Sequence, residues 1–174
     1  MIICIAGLGG SGKTPIAESL AKKLKIRHIT KSFKEISGDK ENLVKFVNRV
    51  KKSVDTDLDA AVIKEANKGD CVVSTWLGPW MIKNADVKVW LNASLETRAR
   101  RKAKTLHMTL NQAKKYLKNI EEKDRSRWKR LYGFDITKDH DIFDIEINTD
   151  KVKLNESVAV IAMLSLEKSK KRFG

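Results

Sequence analysis

A chain of 174 residues with 41% hydrophobic content is long enough to bury one ordinary core, and its composition is that of a folded globular protein. Its 36 lysines and arginines against 22 acidic residues leave a formal charge of +14, which favours polyanionic partners: nucleotides, RNA, DNA or an acidic membrane surface. No apolar stretch reaches membrane-spanning length and the opening run MIICIA is too short for a secretory core, so a soluble cytoplasmic protein without membrane contact is expected.

Residues 2–6 form a short, mostly β-branched run ended by glycines, the pattern of a strand buried on both faces. From Lys13 to Leu24 the apolar residues Ile16, Leu20 and Leu24 recur at four-residue spacing, which predicts a helix. A second short strand is expected at 28–30, followed by amphipathic helices over about 40–53 and 56–68, the latter stopped by Gly69. Residues 71–75 and 87–92 read as strands, 94–104 and 109–132 as strongly basic helices, 142–148 as a strand and 157–168 as a closing helix. The tail EKSKKRFG reads as frayed and solvated. Strands alternating with helices imply an α/β fold with a parallel sheet covered on both faces, in one domain over 1–174. Cys4 and Cys71 each lie in an apolar run and read as reduced, packed thiols. His28, His107 and His140 have no ligand-like spacing, so no histidine metal site is expected.

Gly7-Leu8-Gly9-Gly10-Ser11-Gly12-Lys13-Thr14 matches G-x-x-x-x-G-K-[ST] between a predicted strand and a predicted helix, the context a phosphate-binding loop requires. Glycines let the backbone curl so that several N–H groups face a β-phosphate, and the helix start adds the positive end of its dipole. Lys13 is positioned to bridge β- and γ-phosphates and Thr14 to ligate Mg²⁺, the cofactors so implied being ATP and Mg²⁺. Pro15 follows at once. In a first helical turn its missing N–H costs the fold little, yet it removes a donor that could reach an α-phosphate, so a weaker nucleotide grip is expected.

The stretch ADVKVWLNASLETRARRKAK … DRSRWKRLYGFDITKDHDIFDIEINTD resembles the archaeal cytidylate kinases, members of the nucleoside monophosphate kinase group of P-loop proteins. The matches are Trp90, Leu91 and Ala93 at the end of a strand, then Arg98 and Arg101, then Asp124, Arg127, Trp128, Tyr132, Gly133 and Asp135, and finally Asn148 and Thr149. The resemblance implies a P-loop NTPase fold with a five-stranded parallel sheet flanked by helices, a monophosphate-binding arm at about 31–68 and a basic lid at about 105–135. It also implies transfer of the γ-phosphoryl of ATP-Mg²⁺ to CMP, with Arg101 and Arg127 stabilising the transferring group and Lys34, Asp55 and Asp59 near the acceptor. Arg98 with Arg101, and Arg127 with Arg130, fall on common helical faces, so each pair can serve one phosphate.

The departures from the family pattern cluster on the acceptor side. Lys34 stands where the family has an arginine, a point charge in place of a planar fork. In STWLGPW, Ser74 and Trp76 occupy the places of an acidic residue and an arginine; Ala60 and Ala61 lie where a further arginine is expected, and Ile120 replaces a lid arginine. The missing acid leaves Asp55, Asp57 or Asp59 to support the metal indirectly. Trp76 and Trp80 read as packing residues, with base stacking the alternative. A diverged kinase with another small acceptor is therefore a second reading. A regulatory or RNA-associated P-loop ATPase ranks third, because the basic helices carry no base-reading motif. A monomer or weak homodimer acting on nucleotides is expected.

Overall fold

The structure, a computed structural model, describes residues 1–30 and 53–173. Five strands, β1 (Ile2–Gly7), β2 (Arg27–Ile29), β3 (Cys71–Val73), β4 (Val87–Asn92) and β5 (Ile145–Asn148), form one sheet in the order β2-β3-β1-β4-β5. All four pairings are parallel, with Ile3 opposite both Val72 and Val87 and Leu91 opposite Ile147. The helices are α1 (Lys13–Leu24), α2 (Ser53–Ala66), the short α3 (Gly78–Met81), α4 (Leu95–Leu106), α5 (Leu110–Tyr132) and α6 (Leu154–Phe173).

The near-continuous apolar run of β1 is explained by what covers it. Ile3 and Ile5 pack with Ile16, Leu20, Val72, Val89, Leu91 and Ile161 on one face, beneath α1 and α6. Ile2 and Cys4 pack with Ile29, Val62, Cys71, Val73 and Ile82 on the other, beneath α2. Both cysteines are buried free thiols, and burial pushes the Cys4 thiol well above its ordinary range.

Helix boundaries follow local chemistry. Ser94 caps α4 by accepting from the Thr97 N–H, and Thr109 with Gln112 forms a reciprocal capping box at the start of α5. Gly133, at φ 80°, closes α5. The expected helix over 56–68 is seen as α2, and the one over 40–53 lies outside the described residues. Several boundaries differ from those expected, β3 ending at Val73 rather than 75 and α2 beginning at Ser53 rather than 56. The last strand starts at Ile145 rather than 142, because Lys138 to Phe143 form hydrogen-bonded turns around Asp135 and His140. The closing helix begins earlier, at Leu154, where Glu156 caps the Lys153 N–H, and it continues to Phe173 through the tail read as frayed. The four-residue helix α3, begun by Pro79 just inside its start, was too short for periodicity to reveal.

Beyond α5 the chain is locked by Asp135, which accepts from Arg125 Nε, shared between both oxygens at 2.8–2.9 Å, from Arg125 Nη2 at 2.5 Å, and from the N–H and hydroxyl of Thr137. The Arg125 guanidinium, with the Thr137 donors, holds this carboxyl well below the usual carboxylate range. Asp135→Asn is therefore expected to lower stability by about 1–2 kcal/mol near neutral pH, since the partner arginine is partly solvated. Because the folded pKa is depressed, the stabilisation is complete above the ordinary carboxylate pKa and fades as pH falls through the folded value. Urea titrations of both proteins should converge in acid; a gap that persists unchanged there would assign the effect to shape alone.

Candidate active site

The glycine loop leaves the C-terminal end of β1 where chain order reverses across the sheet, the position at which open parallel sheets bind ligands. Two glycines are sterically required. Gly7 has φ 150° and an added Cβ would lie 2.4 Å from the Leu91 carbonyl; Gly10 has φ 82° and its Cβ would lie 2.7 Å from the Arg98 carbonyl.

The loop carbonyls are pinned from outside. Arg98 Nη1 donates to Gly9 O at 3.2 Å, Arg101 Nη1 to Gly10 O at 3.0 Å, and Thr149 Oγ1 to Ser11 O at 2.9 Å. Arg101 is itself held by Thr149, through Oγ1 at 3.0 Å and the carbonyl at 2.8 Å. In a trans peptide the N–H points opposite the C=O, so holding these carbonyls turns the Gly10 and Gly12 amides the other way, while the Ser11 N–H closes a turn on Leu8 O. Ser11 Oγ, fully buried, has no hydrogen-bond partner among the described residues, an orphaned donor within the loop.

Sequence reasoning set Arg98 and Arg101 on one face, and both do converge on the loop. They meet its carbonyls, however, and Arg98 also pairs with Glu121 of α5. Arg98 is buried and braces the loop, the Ala93 carbonyl just past β4 and helix α5 together, a role its spacing did not reveal. Arg127 pairs with Asp124 at 3.0 Å one turn back along α5 and lies 5.8 Å from the Trp128 ring. Asp59 accepts a hydrogen bond of 2.6 Å from Tyr132 Oη, tying α2 to the end of α5. Lys34 and the Asp55 side chain lie outside the described residues.

Lys13 Nζ turns back onto the loop, donating to Gly7 O at 2.6 Å and Leu8 O at 3.2 Å, and it sits 4.7 Å from the centre of the Trp76 ring. Burial, reinforced by the Lys102 and Arg98 charges and opposed by Glu121, brings its pKa down to about 7. At the end of β3, Ser74, in the place of the family's acidic residue, has its Oγ 2.8 Å from His28 Nε2. Trp76 and Trp80 pack as expected: Trp76 against Trp128, Trp80 stacked on Phe134 at 5.3 Å.

Thr14 is exposed on the first turn of α1, and among the described residues no group of three His, Cys, Asp or Glu could cage a metal ion. The first intrahelical bond is Ile16 N–H to Gly12 O, so Pro15, the third helical residue, stands where a free donor would otherwise face the loop. Pro15→Thr is expected to tighten ADP binding by about 0.5–1.5 kcal/mol, the worth of one hydrogen bond. Calorimetry on parent and variant checks this, equal affinities with an intact helix being the contrary result.

A five-stranded parallel sheet of this order, with a glycine loop delivering a lysine and a threonine to a helix start, defines a P-loop NTPase fold. The fold is shared with solved kinases: a shikimate kinase from Bacteroides thetaiotaomicron superposes with a TM-score of 0.63 at 16% identity, over 94% of this chain and 97% of that one. The chain belongs to the Cytidylate kinase-like family, whose model matches residues 2–151. Curated relatives include a cytidylate kinase from Pyrococcus horikoshii, 32% identical over 87% of this chain and 81% of its own, and one from Thermococcus kodakarensis, 34% identical over 86% and 79%. The protein is thus an enzyme of the nucleoside monophosphate kinase group. Among the described residues no helix is long and apolar enough to cross a membrane.

Proposed function

We propose that this enzyme transfers the γ-phosphoryl group of ATP to CMP. The observation that carries the reading is the intact donor loop, with Lys13 and Thr14 in register at the start of α1, in a chain whose curated relatives are named cytidylate kinases. Residues 7–14 hold the donor phosphates through amides, the helix start and Lys13. The Thr14 hydroxyl would hold Mg²⁺, which when bound neutralises charge between the β- and γ-phosphates. Lys13 leaves the Gly7 and Leu8 carbonyls for the transferring group. Arg101 adds positive charge while bonded to the loop, and Arg127 arrives with the lid, about 105–135, to stabilise the spreading charge and exclude water. Lys34, Asp55 and Asp59, in the arm at about 31–68, orient the acceptor. All of this takes place within one domain, 1–174.

A second reading, another small acceptor, is favoured by the Trp76 ring beside Lys13, an apolar face where a cation would suit an acceptor phosphate. The test is a screen with ATP-Mg²⁺ against CMP, dCMP, UMP, AMP and GMP, separating phosphorylated acceptor from ADP release. CMP phosphorylation that saturates only at high concentration is expected. Fast turnover at low CMP would dismiss the second reading, and no phosphorylation of any monophosphate would dismiss the first.

A further inference from the structure

Trp76 stands where three elements meet. It lies just past β3, its ring faces Lys13 Nζ, and its centre is 5.3 Å from that of Trp128, tilted by 48°. A Cβ added at Gly9 would lie 3.8 Å from two atoms of the same ring, so the indole also lies against the loop backbone. Lys13 is thereby held from two sides, by the Gly7 and Leu8 carbonyls and by the π face. Trp128 sits in the last third of α5, in an apolar cluster with Leu77, Ile136 and Trp76. The first half of that helix is secured separately, by Ala113 and Leu117 against Ala99 and by Glu121 against Arg98.

We propose that Trp76 is a positioning residue that couples the loop lysine to the lid helix. One indole retains the Lys13 ammonium against the loop and retains the C-terminal part of α5 through Trp128. A phosphate oxygen reaches Nζ only as Nζ leaves the carbonyls and the ring. The exchange has a driving force because a phosphate oxygen is an anionic acceptor where the carbonyls are neutral ones, and a ligand shifts an equilibrium only through such a difference. Phosphate entry therefore frees the indole, and with it the end of the lid helix. The inference rests on the reading of residues 7–14 as the donor-phosphate site and extends it to how that site moves the lid.

The experiment uses the full-length protein, Trp76→Phe and Trp76→Leu, with inorganic pyrophosphate as the probe because it does not absorb where indoles do. Two close, tilted indoles give an exciton couplet in far-ultraviolet circular dichroism, and the difference between parent and Trp76→Phe isolates the Trp76–Trp128 pair. Saturating pyrophosphate is expected to remove more than half of that couplet and to speed amide exchange in 124–132 several-fold. Trp76→Leu should show the fast exchange without ligand and no further change with it, while Trp76→Phe, which keeps a π face, should retain part of the parent's response. Pyrophosphate binding seen by calorimetry with couplet and exchange unchanged overturns the coupling while leaving the donor site intact. Absence of binding by both pyrophosphate and ADP overturns the donor-site reading itself and the coupling with it. Should Trp76→Leu fail to fold, the parent's response set beside that of Trp76→Phe decides.

Discussion

Lys13→Ala is expected to lower turnover by about 10²-fold or more, the scale seen when one preorganised charge stabiliser is removed. The reason lies in where the charge must go. In the loop the ammonium is bonded to Gly7 O and Leu8 O and lies against the Trp76 ring, while burial lowers its pKa. Phosphate oxygens reverse that balance, most strongly as charge spreads over the transferring group, so the interaction gained in the transition state exceeds that gained on binding. Turnover should therefore fall further than donor affinity. The measurement is kcat with ATP and Mg²⁺ saturating, alongside calorimetric ADP affinity. Unchanged kcat in metal-saturated assays would remove Lys13 from the chemistry.

Arg127→Ala is expected to lower turnover by roughly 10²-fold with little change in ATP affinity, because a lid arginine meets the transferring group only in the closed ternary state. The structure sharpens the rival explanation. Arg127 lies with Asn119, Glu122, Lys123, Ser126 and Arg130 along a shallow surface groove, a basic strip on one side of α5. Leu117 and Trp128, by contrast, are buried in the clusters on the protein side of that helix. A strip of this kind could instead neutralise a polynucleotide. In that case Arg127→Ala should weaken RNA binding across sequences and reduce its salt slope by about one unit, with phosphotransfer intact. Measuring both quantities on one variant separates the two, and lost RNA affinity with unaltered phosphotransfer would overturn the lid assignment.

The amino-acid sequence by itself determined the elements whose rules are local. The β-branched run of residues 2–6, the loop from Gly7 to Thr14 and the four-residue repeat of Ile16, Leu20 and Leu24 specify strand, turn and helix from neighbours in the chain, and each is where it was read. The parallel α/β class followed from their alternation, and the family from ordered matches running to Thr149. Boundaries near Asp135 and Lys153 were less legible, because capping side chains outweigh hydrophobic period there. Only the tertiary structure decided what the charged and aromatic residues touch. Arg98 and Arg101 were legible as a pair, yet loop carbonyls 89 and 91 residues away in the chain claim them, and a helical face does not state its opposite wall. Tyr132 finding Asp59, and Trp76 finding both Lys13 and Trp128, depend on the sheet bringing the ends of β1 and β3 beneath α5. Contacts of that separation are set by how layers pack, and neither hydrophobic period nor motif spacing encodes the partner.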